Sequence, residues 1–201
     1  IQQWNILSQV HCRCLTEFFL EANDLGATLG ESDLKRLTDF LVEANALDPD
    51  KKLDESHSKP LHELIHGLPG SGKSEVIWWM RSYFEYVWQW EHGVQFVILA
   101  SMNTMACNVG GQTVHSWGQV PFQKKSGEWI SPGKHNSNGI SSMVAKCDKL
   151  RFIIIDEIEN LGAETMENLE TNVSAGMPEN KYKYYVDENG HKKVRCFGGC
   201  N

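Results

Sequence analysis

The sequence has no apolar run near the ~18 residues that a membrane-spanning helix needs. Its longest mostly apolar runs, Val94–Ala100 and Phe152–Ile155, have the length of strands. The opening residues, IQQWNILSQV, lack the basic head and apolar stretch of a secretory signal. We therefore expect no membrane partner. Because the chain starts at Ile1 and stops at Asn201 without a terminating pattern, we also expect a piece of a longer protein.

Cysteine is sparse and scattered, with six residues in a chain of 201. Cys12 and Cys14 are separated by one residue, whereas zinc ligands are usually separated by about two to four. A zinc site that combines this pair with Cys196 and Cys200 is therefore disfavoured. Reduced thiols in an intracellular protein are the expected state.

The chain has fewer basic than acidic residues: 19 Lys and Arg and 26 Asp and Glu give a net charge of −7. Residues 21–55 hold ten acids and four bases, a net charge of −6 that leaves −1 for the rest of the chain. The acidity thus belongs to one segment, predicted to be a solvated, partly helical insert over residues 21–60. The near-neutral remainder is compatible with a nucleic-acid partner but gives no electrostatic support for one.

The hydrophobic pattern, with 41% hydrophobic residues, alternates between short β-branched runs and stretches with helical spacing. Helices are predicted over 3–22, Ser74–Glu91 and Leu161–Met177. Strands are predicted at Leu61–His66, Val94–Ala100 and Leu150–Asp156, the last two buried on both faces. Asn189-Gly190 favours a tight turn in a hairpin over Lys181–Phe197. This order predicts a doubly wound α/β fold, a parallel sheet with flanking helices in three layers.

A phosphate-binding motif follows the first predicted strand. Residues 67–74, GLPGSGKS, match G-x4-G-K-[ST]. Glycine lets backbone N–H groups point at a triphosphate, and the following helix adds its N-terminal dipole. Lys73 would contact the β- and γ-phosphates, and the Ser74 hydroxyl would bind Mg²⁺. The predicted cofactors are ATP and Mg²⁺, and the residues predicted to bind them are Gly67, Gly70, Ser71, Gly72, Lys73 and Ser74.

A pair of acids ends the apolar strand Phe152–Ile155. Asp156 would hold Mg²⁺ through water, and Glu157 would orient and deprotonate the attacking water. Two acids after a strand are otherwise an ordinary polar strand end, but the phosphate loop upstream favours the catalytic interpretation. Lys73, Asp156 and Glu157 are therefore the predicted catalytic residues of an ATPase or GTPase.

Residues 100–116, ASMNTMACNVGGQTVHS, resemble the segment that follows the second strand of the Pif-type helicases, the RecD-like branch of superfamily-one DNA helicases. The family pattern there is approximately A-P-T-G-x-A-A-x-x-I-G-G-x-T-I-H-S. Ser101, Met102 and Asn103 replace its P-T-G. Further similarities are Asp156-Glu157-Ile158, followed by Glu159-Asn160 in place of the family's S-M, and the ending RCFGG at 195–199.

The resemblance implies a RecA-like P-loop fold and a set of DNA contacts. It places single-stranded DNA near loop residues after the second strand: Thr104, Gly110, Gly111, Thr113, His115, Ser116 and Trp117. It makes Gln3, near the chain start, the candidate reader of adenine. It also implies a partner, the second RecA-like domain of the same parent chain with its arginine finger, and a nuclear or mitochondrial location. The 201 residues would then be an incomplete first domain, with a P-loop core at 61–160 and a hairpin at 178–201 that leads toward a missing sensor strand.

Some of these residues have structural alternatives. His115 could be a hydrogen-bonded structural histidine. Trp78, Trp79, Trp88 and Trp90 are predicted to be core side chains because they lie on a predicted helix, which leaves Trp117 as the candidate for stacking on a base.

Three functions are compatible with these features. The first is an ATP-driven 5′–3′ DNA helicase of the repair, recombination and telomere-maintenance class, present as an ATPase lobe with weak activity. The second is a degenerate, transposon-derived, nucleotide-dependent DNA-binding module. The third, a P-loop kinase, is disfavoured because Arg81 and Arg151 are the only arginines between the phosphate loop and Arg195.

Overall fold

A computed structural model describes residues 10, 13–14, 60–68, 70–123, 129–130, 137–179 and 183–201. The chain divides into two compact units, Ile1–His62 and Glu63–Asn201. In the first unit, Val10, Arg13 and Cys14 are helical and Val10 and Cys14 are buried, as predicted for that helix. Gln3, Cys12 and nearly all of the predicted acidic insert lie outside the described residues.

The second unit alternates helices and strands. Its described helices are α1 (Lys73–Tyr86), α2 (Asn103–Asn108), α3 (Val114–Gly118), α4 (Ser137–Cys147) and α5 (Ala163–Gly176). Its described strands are β1 (Phe96–Ala100), β2 (Gln112–Thr113), β3 (Phe122–Gln123), β4 (Trp129–Ile130), β5 (Phe152–Asp156), β6 (Tyr184–Val186) and β7 (Lys192–Val194). Short 3₁₀ segments follow β5 at Ile158–Asn160 and β7 at Cys196–Gly199. None of the helices in the described ranges is long and apolar enough to cross a bilayer.

A parallel sheet in the order β2-β1-β5 forms the centre of this unit. β1 pairs with β5 in register from Phe96–Phe152 to Ala100–Asp156. All five residues of β1 are fully buried, which confirms the prediction from their continuous apolar run. The sequence prediction of a mixed α/β fold with a parallel sheet is also confirmed.

β5 departs from the prediction that it is covered on both faces, because its last four residues are only half-buried. The reason is its position at the edge of the described sheet. Only its start is paired on the side away from β1: Ile153 N donates to Asn201 O at 2.8 Å, and Asn201 N donates to Arg151 O at 3.0 Å.

Helices cover both faces of the sheet. On one face, the Phe84 ring of α1 lies 5.0 Å from those of Phe96 and Phe152. On the other, Val97 and Leu99 belong to the main core. Its remaining buried members come from α3, α4, α5 and the segments beside them: Val114, Trp117, Val120, Met143, Cys147, Leu150, Leu169, Val173, Met177 and Cys200. The three-layer prediction is confirmed in this respect.

The predicted strand at Leu61–His66 is wrong, because residues 60–68 form no strand and Leu64 is 67% exposed. The segment LHELIH has only three apolar residues, interrupted by charged and polar ones. A strand also needs a neighbouring strand whose backbone groups can form hydrogen bonds with its own. No strand of the described sheet supplies one.

The predicted helix at Ser74–Glu91 is confirmed but ends earlier, at Tyr86. Beyond it the chain folds back through Gln89, which has a φ of 54°, and Trp90 N donates to Phe84 O at 2.9 Å. The Trp90 ring thereby stacks on Phe84 at 5.2 Å, and the Trp88 ring lies 5.8 Å from that of Trp90. Both tryptophans are half-buried.

The prediction that Trp78 and Trp79 are core side chains is wrong, since they are 42% and 36% exposed. The buried stripe of α1 consists of Val76, Ile77, Met80 and Phe84. Residues of a helix are rotated by roughly 100° from one to the next, so two residues directly after Ile77 turn away from that stripe.

The C-terminal hairpin is confirmed, with β6 and β7 paired from Tyr184–Val194 to Val186–Lys192. Its turn is wider than the predicted two-residue Asn-Gly turn. Gly190 N donates to Asp187 O at 2.9 Å and Gly190 has a φ of 81°, a type I turn closed by a left-handed glycine. The Asp187 carboxylate explains this preference, because it accepts hydrogen bonds from the backbone N–H groups of Asn189 and His191.

A histidine completes the hydrogen bonding of the central strand. Ile98 N donates to His92 Nε2 at 3.1 Å, and the imidazole packs edge-on against Phe96. Burial, with a contribution from the nearby Arg81 guanidinium, lowers the pKa of His92, while Glu85 opposes that shift. The neutral ring with an unprotonated Nε2 is therefore part of the fold.

This arrangement predicts that the protein loses stability as the pH falls. Above its ordinary pKa of about 6.5, His92 is neutral in both states and its contribution is complete. As the pH falls from about 6.5 toward the lowered folded-state pKa, the unfolded chain takes up the proton first and the contribution is lost. Urea unfolding between pH 8 and pH 5 should show this loss, and His92→Gln should flatten it.

The matched control is His66→Gln, which removes an exposed histidine. It removes one histidine while the hydrogen bond from Ile98 N to His92 Nε2 is kept. Equal profiles for wild type and His92→Gln would contradict the assignment.

Candidate functional site

The glycine motif forms a loop that begins helix α1. Gly70 and Gly72 have φ values of 77° and 87°, left-handed conformations that glycine adopts without strain. Ser71 N donates to Leu68 O at 3.1 Å, which closes a turn, and Gly72 is the N-terminal cap of α1. A Cβ at Gly67 would lie 2.6 Å from Ser71 Oγ. The motif therefore has the backbone geometry that its glycines imply.

The motif lysine lies over its own loop. Lys73 Nζ donates to Gly67 O at 2.9 Å. Ser71 and Ser74 are exposed, and no side chain caps the first turn of α1. Because no side chain occupies the first-turn N–H groups of α1, these groups can bind an anion.

The two acids occupy the carboxyl end of β5. Asp156 lies opposite Ala100 at the end of β1, and Glu157 N donates to Asp156 Oδ1 at 3.1 Å. Glu157 has a φ of 53°, a left-handed conformation that is unfavourable for a residue with a side chain. Asn160 Nδ2 donates to Glu157 Oε2 at 3.3 Å and fixes the carboxylate in that place.

Two contacts near the C-terminus of α1 indicate its direction relative to the sheet. Near its C-terminus, Phe84 packs on the first residues of β1 and β5. One turn earlier, Arg81 Nη1 donates to Gly110 O at 3.2 Å, and Gly110 lies just before β2, which pairs with the last residues of β1. α1 therefore runs antiparallel to the strands. Its start at Lys73 lies about 12 Å beyond Arg81, toward the carboxyl ends of the strands.

The segment after β1 contains the residues predicted to contact DNA. Thr113 Oγ1 accepts a hydrogen bond from Ser116 N and caps α3. His115 Nδ1 lies 3.2 Å from Val120 O, and its ring is edge-on to Phe122. Both side chains thus have structural roles, which agrees with the structural alternative for His115.

Two glycines in this segment allow close packing. A Cβ on Gly111 would overlap the Ile98 carbonyl of β1, and one on Gly110 would overlap the Arg81 guanidinium. Gly110 also has a φ of 64°. Thr104, Gly110 and Ser116 are exposed, so they are the members of the predicted DNA set that a ligand can reach.

Trp117 is the clearest correction among the site residues, because it is 2% exposed and belongs to the main core. Lys146 Nζ donates to its carbonyl oxygen at 2.8 Å and lies 5.9 Å from its ring. α3 is short and capped by Thr113, and this turns the indole inward. No face of this ring is open to a base in this structure.

Arg81, which was not predicted to be a site residue, links α1 to the segment after β1. Its guanidinium contacts Gly110 O, pairs with Glu85 at 2.9 Å and lies 5.7 Å from the Trp78 ring. The helical phase of the buried stripe could have placed Arg81 and Trp78 away from the core, but no motif marks either residue.

Metal-binding clusters of three or more His, Cys, Asp or Glu side chains do not occur in the described part of the chain. Asp156 and Ser74 are the residues that could contribute oxygen ligands for Mg²⁺ beside a nucleotide, as hard oxygen donors suit that ion. Cys196 is exposed and Cys200 is buried, while Cys12 lies outside the described residues.

Comparison of the chain with family models, curated proteins and solved structures finds no match. The resemblance to the Pif-type helicases therefore depends on the motif residues alone.

Close packing predicts that Gly111→Ala destabilises the protein. The added methyl group would overlap a backbone carbonyl of the central strand, and overpacking of this kind costs typically about 1–3 kcal/mol. The free energy of unfolding in urea measures the cost. Gly162→Ala is the control, because its Cβ would meet nothing within 4 Å. Equal stability of the two variants would contradict the packing argument.

Proposed function

We propose that this chain is the first RecA-like ATPase lobe of a Pif-type DNA helicase, which couples ATP hydrolysis to 5′–3′ movement along single-stranded DNA. The observation that carries the proposal is the direction of α1 relative to the end of β5. Asp156 and Glu157 end β5 at the carboxyl edge of the sheet, and the contacts of Phe84 and Arg81 direct the start of α1, with the glycine loop and Lys73, toward that edge. Ligands of open α/β sheets bind at this edge.

In this proposal each residue of the site has one role in phosphoryl transfer. Backbone N–H groups of the glycine loop and Lys73 would hold the phosphates, and Ser74 and Asp156 would hold Mg²⁺, which neutralises charge on the β- and γ-phosphates. Glu157 would orient and deprotonate the attacking water. Before a nucleotide binds, Lys73 Nζ is hydrogen-bonded to Gly67 O, so binding exchanges one oxygen partner for another.

The DNA side of the proposal depends on exposed residues of the segment after β1. Thr104, Gly110 and Ser116 are accessible, and α2 begins at Asn103, the last of the three residues that depart from the family pattern. We propose that single-stranded DNA crosses this segment. We further propose that a second RecA-like domain of the parent chain supplies the arginine finger, with a nuclear or mitochondrial location by the same resemblance.

One observation favours the second candidate, a nucleotide-dependent DNA-binding module without catalysis. Asn160 stands where the resembled family has a different residue, and its amide donates a hydrogen bond to the carboxylate of the proposed base, Glu157. That carboxylate oxygen is then engaged by the protein and not by an attacking water. Hydrolysis measurements therefore separate the two candidates.

The proposal predicts that Lys73→Ala abolishes tight ATP binding. A charge-assisted hydrogen bond contributes about 1.5–3 kcal/mol, so the dissociation constant for ATP–Mg²⁺ should rise by about 10- to 150-fold. Titration with a fluorescent ATP analogue measures it. Lys149→Ala removes an exposed lysine outside the site and should leave the affinity unchanged. Equal affinities for all three proteins would contradict nucleotide binding at this loop.

A second prediction concerns hydrolysis. Without an arginine finger, phosphoryl transfer is typically about 10³- to 10⁵-fold slower, so the 201 residues should bind ATP and hydrolyse it slowly. Glu157→Gln should lower the residual rate by about 10²- to 10⁴-fold while the affinity for ATP–Mg²⁺ is retained. Single-turnover measurements with radiolabelled ATP detect such rates. A residual rate that Glu157→Gln does not change would favour the module without catalysis, and fast DNA-stimulated turnover by these residues alone would contradict the incomplete-lobe interpretation.

A further inference from the structure

The C-terminal hairpin is an exposed element that the proposed function does not use. β6 and β7 have three residues each, and no residue of either strand is buried. A two-stranded hairpin of this size is marginally stable in water by itself. Its end is held by a hydrogen bond from Arg195 N to Lys183 O at 2.8 Å, and its turn by the Asp187 carboxylate.

The strand register separates the hairpin side chains into two faces. Tyr185 lies directly opposite Lys193, and the bond between Arg195 and Lys183 places those two residues opposite each other on the same face. We call Tyr185, Lys193 and Arg195 the Tyr185 face. The other face carries Tyr184, Val186, Lys192 and Val194.

The hairpin differs in charge from the rest of the chain. Residues 183–195 hold four Lys or Arg and two Asp or Glu, but Lys183 is buried and pairs with Glu179 at 2.8 Å, so the other three cations leave a net charge of +1 in a protein of net charge −7. One of the two acids, Asp187, is engaged within the hairpin: it pairs with Lys193 at 2.9 Å and accepts the turn amides, and these hydrogen bonds lower its pKa. A positive surface on an acidic protein complements a polyanion.

The Tyr185 face combines this charge with an open aromatic ring. Tyr185 is 40% exposed and the Lys193 side chain is 55% exposed. The Arg195 guanidinium lies 5.6 Å from the Tyr185 ring centroid. Aromatic rings flanked by cations are what single-stranded nucleic acids require, since bases stack on the ring and phosphates pair with the cations. An acidic peptide would use the cations and leave the ring without a role.

We propose that the Tyr185 face binds single-stranded nucleic acid, with a base stacked on Tyr185 and phosphates beside Lys193 and Arg195. This inference extends the nucleic-acid part of the proposed function to a second surface, and it does not depend on the ATP part. The Tyr184 ring on the other face is covered by Lys192 Nζ at 3.8 Å from its centroid, so that face offers no comparable ring.

The test is the affinity of the 201-residue chain for a fluorescein-labelled oligothymidylate, measured by anisotropy over a series of salt concentrations. Tyr185→Ala should weaken binding by about five- to 150-fold, the range for loss of one stacked base. Lys193→Gln should weaken binding and reduce the salt slope by about 0.7, the value for one phosphate contact of a single strand. Tyr185→Phe keeps the ring and should bind like wild type.

Two variants are matched controls for Lys193→Gln. Lys192→Gln makes the same change in charge on the neighbouring residue of the opposite face and should have a smaller effect. Asp187→Asn breaks the same ion pair as Lys193→Gln but keeps an acceptor for the turn amides, and it should bind at least as tightly as wild type because it removes a negative charge.

Three results would overturn the proposal: equal losses for Lys192→Gln and Lys193→Gln, unchanged binding by Tyr185→Ala, or competition by polyglutamate equal to that by unlabelled oligonucleotide. The last would identify an acidic peptide as the partner. Failure of the proposed function is distinguishable, because a chain that binds the oligonucleotide through this face but does not bind ATP–Mg²⁺ contradicts only the ATPase assignment. If the chain binds ATP–Mg²⁺ and the hairpin variants leave its oligonucleotide affinity unchanged, only this inference is contradicted.

Discussion

The pairing of β1 with β5 is the constraint on which the candidate site depends. Both strands are apolar and run parallel, so their carboxyl ends meet at one edge of the sheet, with Asp156 opposite Ala100. The segment after β1 and the acids after β5 are thereby brought together although more than 50 residues separate them in the sequence. A slip of one residue would reverse the faces of every side chain in β5, and it would place Phe152 away from the Phe84 ring of α1.

α1 extends this pairing toward the glycine loop through two contacts near its C-terminus. Phe84 packs against the start of the strands, and Arg81, one turn earlier in the helix, donates to Gly110 O. The direction of the helix follows from these two contacts, and it carries the glycine loop toward the carboxyl ends of the strands. His92 stabilises the central strand β1. Its Nε2 accepts a hydrogen bond from Ile98 N, because the short strand β2 pairs only with Leu99 and Ala100.

The sequence predicted those features that depend on local chemistry or on a continuous apolar run. The left-handed Gly70 and Gly72, the fully buried β1, the helix after the loop and the hairpin at 184–194 each follow from residue types at fixed spacing. The predictions that failed depended on the direction of a side chain or on a distant partner. Leu61–His66 has a short apolar content that is interrupted by polar residues, and it has no neighbour to pair with in the described sheet; the second of these facts cannot be read from the segment itself.

The tryptophans show why composition alone misplaces functional residues. Helix α1 is rich in aromatic side chains, yet only the stripe that includes Ile77 and Phe84 faces the sheet, while Trp78 is exposed beside Arg81. Trp117 follows a motif that resembles a DNA-binding segment, yet it is 2% exposed and belongs to the main core. In both cases the packing of the whole element, and not the residue type, decides which way the ring points. An aromatic side chain can therefore be assigned to binding only when the element that carries it has been placed, as the strand register does for Tyr185.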